Sequence, residues 1–220
     1  MENGGAGIMR ICLVSSEILG AHRNGGIGTA TSNLSILLAE NGHSVTLFYN
    51  GYNAEHMPLD PRDPWAAYYK AASITVVQFP GSQARIIPSI MKQPVEVYEQ
   101  LRGQNFDLII FQECLALGHA CTVAKRAGLA FDRTVLATIT HSSTPWCLEA
   151  NRSFPQHPEQ LALMHMEQQA TELSDAVVSP SRYLVGWMKQ ADWKLPEFGR
   201  KSGSAQQPLQ AQLRLSSSLL

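Results

Sequence analysis

The sequence predicts an α/β protein: a doubly wound, Rossmann-like parallel sheet of about six strands in a single domain. Three observations lead there. Short β-rich runs alternate with stretches of helical periodicity along most of the chain. The run Asp107-Leu108-Ile109-Ile110-Phe111 is apolar without alternation, which suits a parallel strand covered on both faces. Strand–helix–strand alternation of this kind winds into an open parallel sheet with right-handed crossovers.

Residues 9–15 read as the first, buried strand. Ile27, Ala30, Leu34, Leu37 and Leu38 then recur at helical spacing, and Asn41-Gly42 supplies the stop. A second strand covers 44–49, a loop rich in Pro and Gly covers 50–64, and a third strand covers 73–79. A helix over 88–102 leads into the fourth strand at 107–111. Residues 115–127 are helical and end at Gly128, and 134–140 form the fifth strand. A weaker helix over 158–172 precedes a sixth strand at 175–178. Ser179 is the expected cap of a last helix, with Pro180 in its first turn and Leu184, Trp187, Met188 and Ala191 on one face.

A chain of 220 residues accommodates one large α/β domain or two small ones, and falls short of two full nucleotide-binding domains. With 45% apolar and 16% charged residues it can build a core. Its net charge of −1 gives no electrostatic footprint for nucleic acid. No apolar run reaches the ~18 residues of a bilayer span, and the start lacks the blocks of a signal peptide. The expected setting is the cytoplasm, with the membrane periphery left open. Cys12, Cys114, Cys121 and Cys147 form no C-x-x-C, and the seven histidines no H-E-x-x-H, so neither a disulfide framework nor a metal site is expected. Residues 199–220 hold five Ser, four Gln, five Leu and no acid. They read as a disordered tail (198–220) behind a domain at 9–197, with a short helix around 209–215 as the alternative.

The segment from Ser15 to Gly28 joins the first strand to the first helix and carries Gly25-Gly26-Ile27-Gly28. In an open parallel sheet this loop lies at the carboxyl edge, where ligands bind. Adjacent glycines admit close backbone approach, and free helix N–H groups favour a phosphate or a sugar hydroxyl. Glycines that merely allow a tight strand-to-helix passage are the plain alternative. Gly26-x-Gly28-x-x-Thr31 lacks the third glycine of a dinucleotide fingerprint. The second strand ends Phe48-Tyr49-Asn50, without the acid that would hold a ribose, so NAD is disfavoured. No Gly-Lys-Ser/Thr follows, which excludes a P-loop.

Met9-Arg10-Ile11-Cys12-Leu13-Val14-Ser15-Ser16-Glu17, the Gly25-Gly26-Ile27-Gly28-Thr29-Ala30 loop and Leu37-Leu38-Ala39-Glu40-Asn41-Gly42-His43 together resemble the amino terminus of GT-B glycosyltransferases. The nearest groups are the retaining family 4 enzymes and, more distantly, glycogen and starch synthases. The resemblance resumes at residues 106–111, at Thr140-His141-Ser142-Ser143 and at Glu172–Tyr183, and spans about 9 to 197. It implies the acceptor-side half of a two-domain enzyme that transfers a hexose from a nucleotide diphosphate sugar to a sugar or glycolipid acceptor. No other cofactor and no metal are implied.

By the same resemblance, Gly25 and Gly26 match the loop that reaches toward the donor, and Arg23 matches a basic position that would neutralise diphosphate charge. His141 matches the cleft histidine near the transferred sugar. Glu17 would hydrogen-bond an acceptor hydroxyl and Trp146 would stack on a sugar ring. Each has a plain alternative: a solvated arginine, a histidine capping local backbone, a surface acid, a packing tryptophan. The paired-glutamate motif of the family's carboxy-terminal half has no counterpart. The expectation is therefore a truncated chain or one half of a split enzyme, with a catalytically inert sugar- or partner-binding module as the competing class.

Overall fold

A computed structural model describes residues 7–20, 25–49, 59–78 and 88–196. The expected tail, the end of the expected domain at 197 and Arg23 lie outside the described residues. The elements run β1 (Arg10–Ser15), α1 (Gly26–Glu40), β2 (Ser44–Tyr49), α2 (Pro64–Ala71), β3 (Thr75–Gln78), α3 (Ser89–Leu101), β4 (Leu108–Gln112), α4 (His119–Arg126), β5 (Val135–Ile139), α5 (Thr144–Ala150), α6 (Pro158–Leu173), β6 (Ala176–Val178) and α7 (Arg182–Gln190). The six strands pair in parallel in the order β3-β2-β1-β4-β5-β6. This is the doubly wound, Rossmann-like order, and it reverses direction between β1 and β4.

The apolar runs are explained by the two faces of the sheet. Cys12, Val14, Ile109 and Phe111 point to one side, where they pack with Val97 and Leu101 of α3 and Cys121 of α4. Ile11, Leu13, Leu108 and Ile110 point to the other, against Leu34 and Leu38 of α1 and Tyr69 of α2. Successive strand residues face opposite sides, so a strand covered twice must be apolar at every position. Each such fully buried aliphatic or aromatic side chain contributes roughly 1.5–3 kcal/mol of burial.

Three local expectations change, and α2 adds to them. Helix α1 turns a polar face inward: Thr31, Ser32 and Ser35 are buried, while Leu37 is 53% exposed. Small hydroxyl groups let the helix lie close to the sheet and satisfy its polar neighbours. The expected loop at 50–64, of which 50–58 lie outside the described residues, is followed directly by α2, whose N-cap Asp63 accepts a hydrogen bond from Trp65 N at 2.8 Å, with Pro64 at the first helical position. The expected helix at 115–127 is broken. A short 3-10 turn at Cys114–Ala116, with Leu115 and Ala116 at positive φ, precedes α4. Finally, α7 is capped by Ser181, whose Oγ accepts from Leu184 N at 3.2 Å. Ser179 instead accepts from Ser181 N, in a turn before the helix.

Candidate functional site

The carboxyl ends of β1, β4 and β5 bring a set of polar groups to one edge of the sheet. After β1 the chain turns at Ser15 and Ser16, both buried, and presents Glu17. The Glu17 carboxylate reaches the start of α1, where Oε2 accepts from Gly25 N at 2.7 Å and from Gly28 N at 3.3 Å. The helix N-terminus, expected to hold a phosphate or a hydroxyl, thus already carries a carboxylate of the chain's own. A Cβ at Gly25 would crowd that approach, at 3.3 Å from Glu17 Oε2. At Gly26 a Cβ would meet nothing within 4 Å, so the backbone there is open.

His141 follows β5 and is held from two sides by the end of β4. The Gln112 amide oxygen meets its ring at Nε2, and its backbone N–H donates to Glu113 Oε2. Gln112 and Glu113 are 2% and 1% exposed, so this clamp is built into the core. Gln112 Nε2 in turn donates to Thr31 Oγ1 at 3.0 Å, and Thr31 Oγ1 lies 3.3 Å from Ser15 Oγ. Hydrogen bonds therefore run from β1 through α1 and β4 to the histidine. Burial holds the His141 ring below its ordinary pKa, opposed by the Glu17 charge, and the imidazole is neutral at pH 7.

A second carboxyl lies beneath the same turn. Glu167 of α6 is fully buried, and its Oε2 accepts from Thr144 N at 2.7 Å. Its Oε1 accepts from Thr144 Oγ1 at 3.0 Å and from Leu115 N at 3.2 Å. One side chain thereby caps the start of α5 and secures the left-handed turn at Leu115. Burial pushes Glu113 up to about 8 and Glu167 up to about 7. Glu113 Oε1, Thr140 Oγ1 and Ser143 Oγ are buried here without a partner among the described residues.

Of the residues singled out from sequence, Glu17, Gly25 and Gly26 lie together, and the Glu17 charge is felt at His141. Trp146 sits in α5 and packs against the cluster of Leu184, Met188 and Trp193, where Trp187 also joins. Gln112, Glu113, Thr31 and Glu167 were not anticipated. The polar pair that closes the apolar run at 108–111 was the available signal. Among the described residues no group of three His, Cys, Asp or Glu side chains could hold a metal ion. No described helix is long and apolar enough to cross a membrane.

The model of the family described as Glycosyltransferase Family 4 matches residues 24–194, more than half of the chain. The chain belongs to glycosyltransferase family 4. The family resemblance seen in the sequence is thereby borne out, on the sheet described above. No curated protein matches the sequence. Among solved structures, this family 4 chain is similar to UGT73P12 of Glycyrrhiza uralensis, complexed with glycyrrhetinic acid 3-O-monoglucuronide, at 11% identity and a TM-score of 0.47. It is also similar to CalG4, the calicheamicin glycosyltransferase, at 13% identity and a TM-score of 0.42. In each case 86% of the present chain is covered. It spans 46% of the first structure's chain and 44% of the second's.

Proposed function

We propose that the chain is the acceptor-side half of a retaining glycosyltransferase that moves a hexose from a nucleotide diphosphate sugar onto a sugar or glycolipid acceptor. The observation that carries this reading is the clamp on His141: a neutral imidazole, fixed by Gln112 and Glu113 at the carboxyl edge of the sheet. Such a ring can orient a sugar hydroxyl without adding charge near an oxocarbenium-like centre. The backbone at Gly26 is open to a ligand, and Arg23 would offset diphosphate charge as the nucleotide leaves. The departing phosphate would help to deprotonate the acceptor hydroxyl. A separate donor-binding half completes the cleft in this reading, and the protein's own contribution is positioning and electrostatics. The reaction is placed in the cytoplasm, or at a membrane surface when the acceptor is a glycolipid.

A second reading is an inert module that binds a sugar or a partner chain. Glu17 favours it, because its carboxylate occupies N–H groups that a donor phosphate would otherwise use. Calorimetric titration of the chain with UDP- and ADP-sugars, against NAD and S-adenosylmethionine, separates the possibilities. Sugar-nucleotide binding that strengthens when a family 4 donor-binding half is added supports the transferase. Sugar binding indifferent to nucleotide and to the added half supports the inert module. Tight NAD binding removes both.

A further inference from the structure

We infer that Ser15, Thr31 and Gln112 form a one-directional hydrogen-bond wire that fixes His141 as the Nε2–H tautomer, with Gln112 and Thr31 acting as positioning residues. The direction is set at the far end. Ser15 Oγ has a single proton, and it is donated to the Glu17 carbonyl oxygen at 2.7 Å. The Glu17 N–H donates back to the same Oγ at 3.2 Å. Toward Thr31 the serine therefore offers only a lone pair, and the threonine hydroxyl is the donor across 3.3 Å. With its proton committed, Thr31 Oγ1 can only accept from Gln112, and what stands 3.0 Å away is the amide nitrogen. The orientation of the Gln112 amide follows, and its oxygen is left facing His141 Nε2. An amide oxygen carries no proton, so the ring must supply one.

The wire is dry. Ser15, Thr31 and Gln112 are 0%, 1% and 2% exposed, so water does not compete for these bonds. A neutral imidazole has one N–H, which leaves Nδ1 as an acceptor, and no described residue donates to it. A bare acceptor nitrogen receives an O–H group and is repelled by the oxygens of a phosphate. In this last step, which rests on the transferase reading, His141 meets a hydroxyl of the sugar and not the diphosphate. The tautomer itself does not depend on that reading.

Long-range 1H–15N correlation spectra of the full, 15N-labelled chain read the ring directly, with the His141 signal identified by its loss in His141→Asn. The expected spectrum at neutral pH shows a protonated Nε2 and an unprotonated Nδ1. A ring protonated at Nδ1, or doubly protonated, overturns the proposal. Thr31→Val removes the acceptor that holds the amide, and the two nitrogen shifts should move toward each other as both tautomers populate. Thr31→Ser should restore the wild-type pattern, and Ser15→Ala provides an independent break of the same wire. Unchanged nitrogen shifts in Thr31→Val and Ser15→Ala would show that the wire does not set the tautomer. Titration with glucose should then move Nδ1, while inorganic phosphate should not. A response to phosphate alone overturns the hydroxyl step and counts against the transferase reading, with the tautomer assignment intact.

Discussion

Glu17 Oε2 lies 2.7 Å from the backbone nitrogen of Gly25, so α1 is capped by a carboxylate eight residues before its N-cap position. The contact closes the loop after β1 onto the helix and places a negative charge where the aligned peptide dipoles favour one. Removing it should cost about 1 kcal/mol, in the range of an N-cap. Glu17→Ala should lower the denaturant midpoint accordingly. It should also raise the affinity for inorganic phosphate or UDP, because the N–H groups of Gly25 and Gly28 are released. Weaker or unchanged anion binding in calorimetry would show that the helix start is not the anion position.

The two adjacent glycines should respond differently to the same methyl group. Gly25→Ala crowds the Glu17 carboxylate at 3.3 Å and should destabilise by about 1 kcal/mol, the typical cost of a disfavoured local substitution. Gly26→Ala meets open space and should leave thermal stability unchanged. A loss of sugar-nucleotide binding in Gly26→Ala at unchanged stability would therefore report contact with the ligand. Equal destabilisation by both would contradict the loop geometry.

Stability should fall as pH rises through the window set by Glu113 and Glu167. Both carboxyls have folded-state pKa values above the ordinary 4.5, at about 8 and about 7. Between those limits the unfolded chain loses protons that the folded chain keeps, so the unfolded state gains with increasing pH. The contribution is complete below pH 4.5 and gone above about 8. His141 has the opposite sign, since its lowered pKa removes stability as pH falls through 6.5. Glu113→Gln should flatten the fall between pH 5 and 8.5 in urea unfolding. A slope equal to that of the wild type would contradict the assignment.

Glu167 serves two backbone donors and one hydroxyl, so its loss should be felt at both sites. Glu167→Ala leaves the part-buried N–H groups of Thr144 and Leu115 without their acceptor, and the expected cost is about 2 kcal/mol. Hydrogen exchange should quicken at the start of α5 and at Leu115 together. Exchange confined to one of the two would show that the carboxyl does not bridge them. Glu167→Gln keeps an acceptor and should recover part of the loss.

The legible and illegible parts of the molecule divide on physical grounds. Strands β1 and β4 are covered on both faces, which writes them into the sequence as unbroken apolar runs. Helix α1 shows in its apolar residues, of which Leu34 and Leu38 reach the sheet, but its most deeply buried positions are polar. These are Thr31, Ser32 and Ser35, and hydroxyls give no hydrophobic period. Helix α2 had its signal in Asp63-Pro64, hidden within a stretch that reads as loop. The glycine loop and His141 stood out singly. Their supports did not, because Gln112 meets His141 across 29 residues of chain and Glu167 meets Thr144 across 23. A linear pattern carries residue types, whereas these partnerships arise only from strand order.

The inward hydroxyls of α1 also bear on any effort to make the molecule hardier. A designer matching helix pattern to burial would exchange Thr31, Ser32 or Ser35 for aliphatic residues, and would judge the result an improved core. At Thr31 that exchange removes the hydroxyl that accepts from the Gln112 amide nitrogen. At Ser32 it strands the Leu19 N–H, which donates to the serine oxygen at 2.9 Å, and leaves the Tyr69 hydroxyl with the Leu19 carbonyl in place of the serine. Thermal hardening of this helix and integrity of the histidine's mounting are thus opposed at the level of single methyl groups. Stabilising substitutions belong on its outer face, beginning at the exposed Leu37.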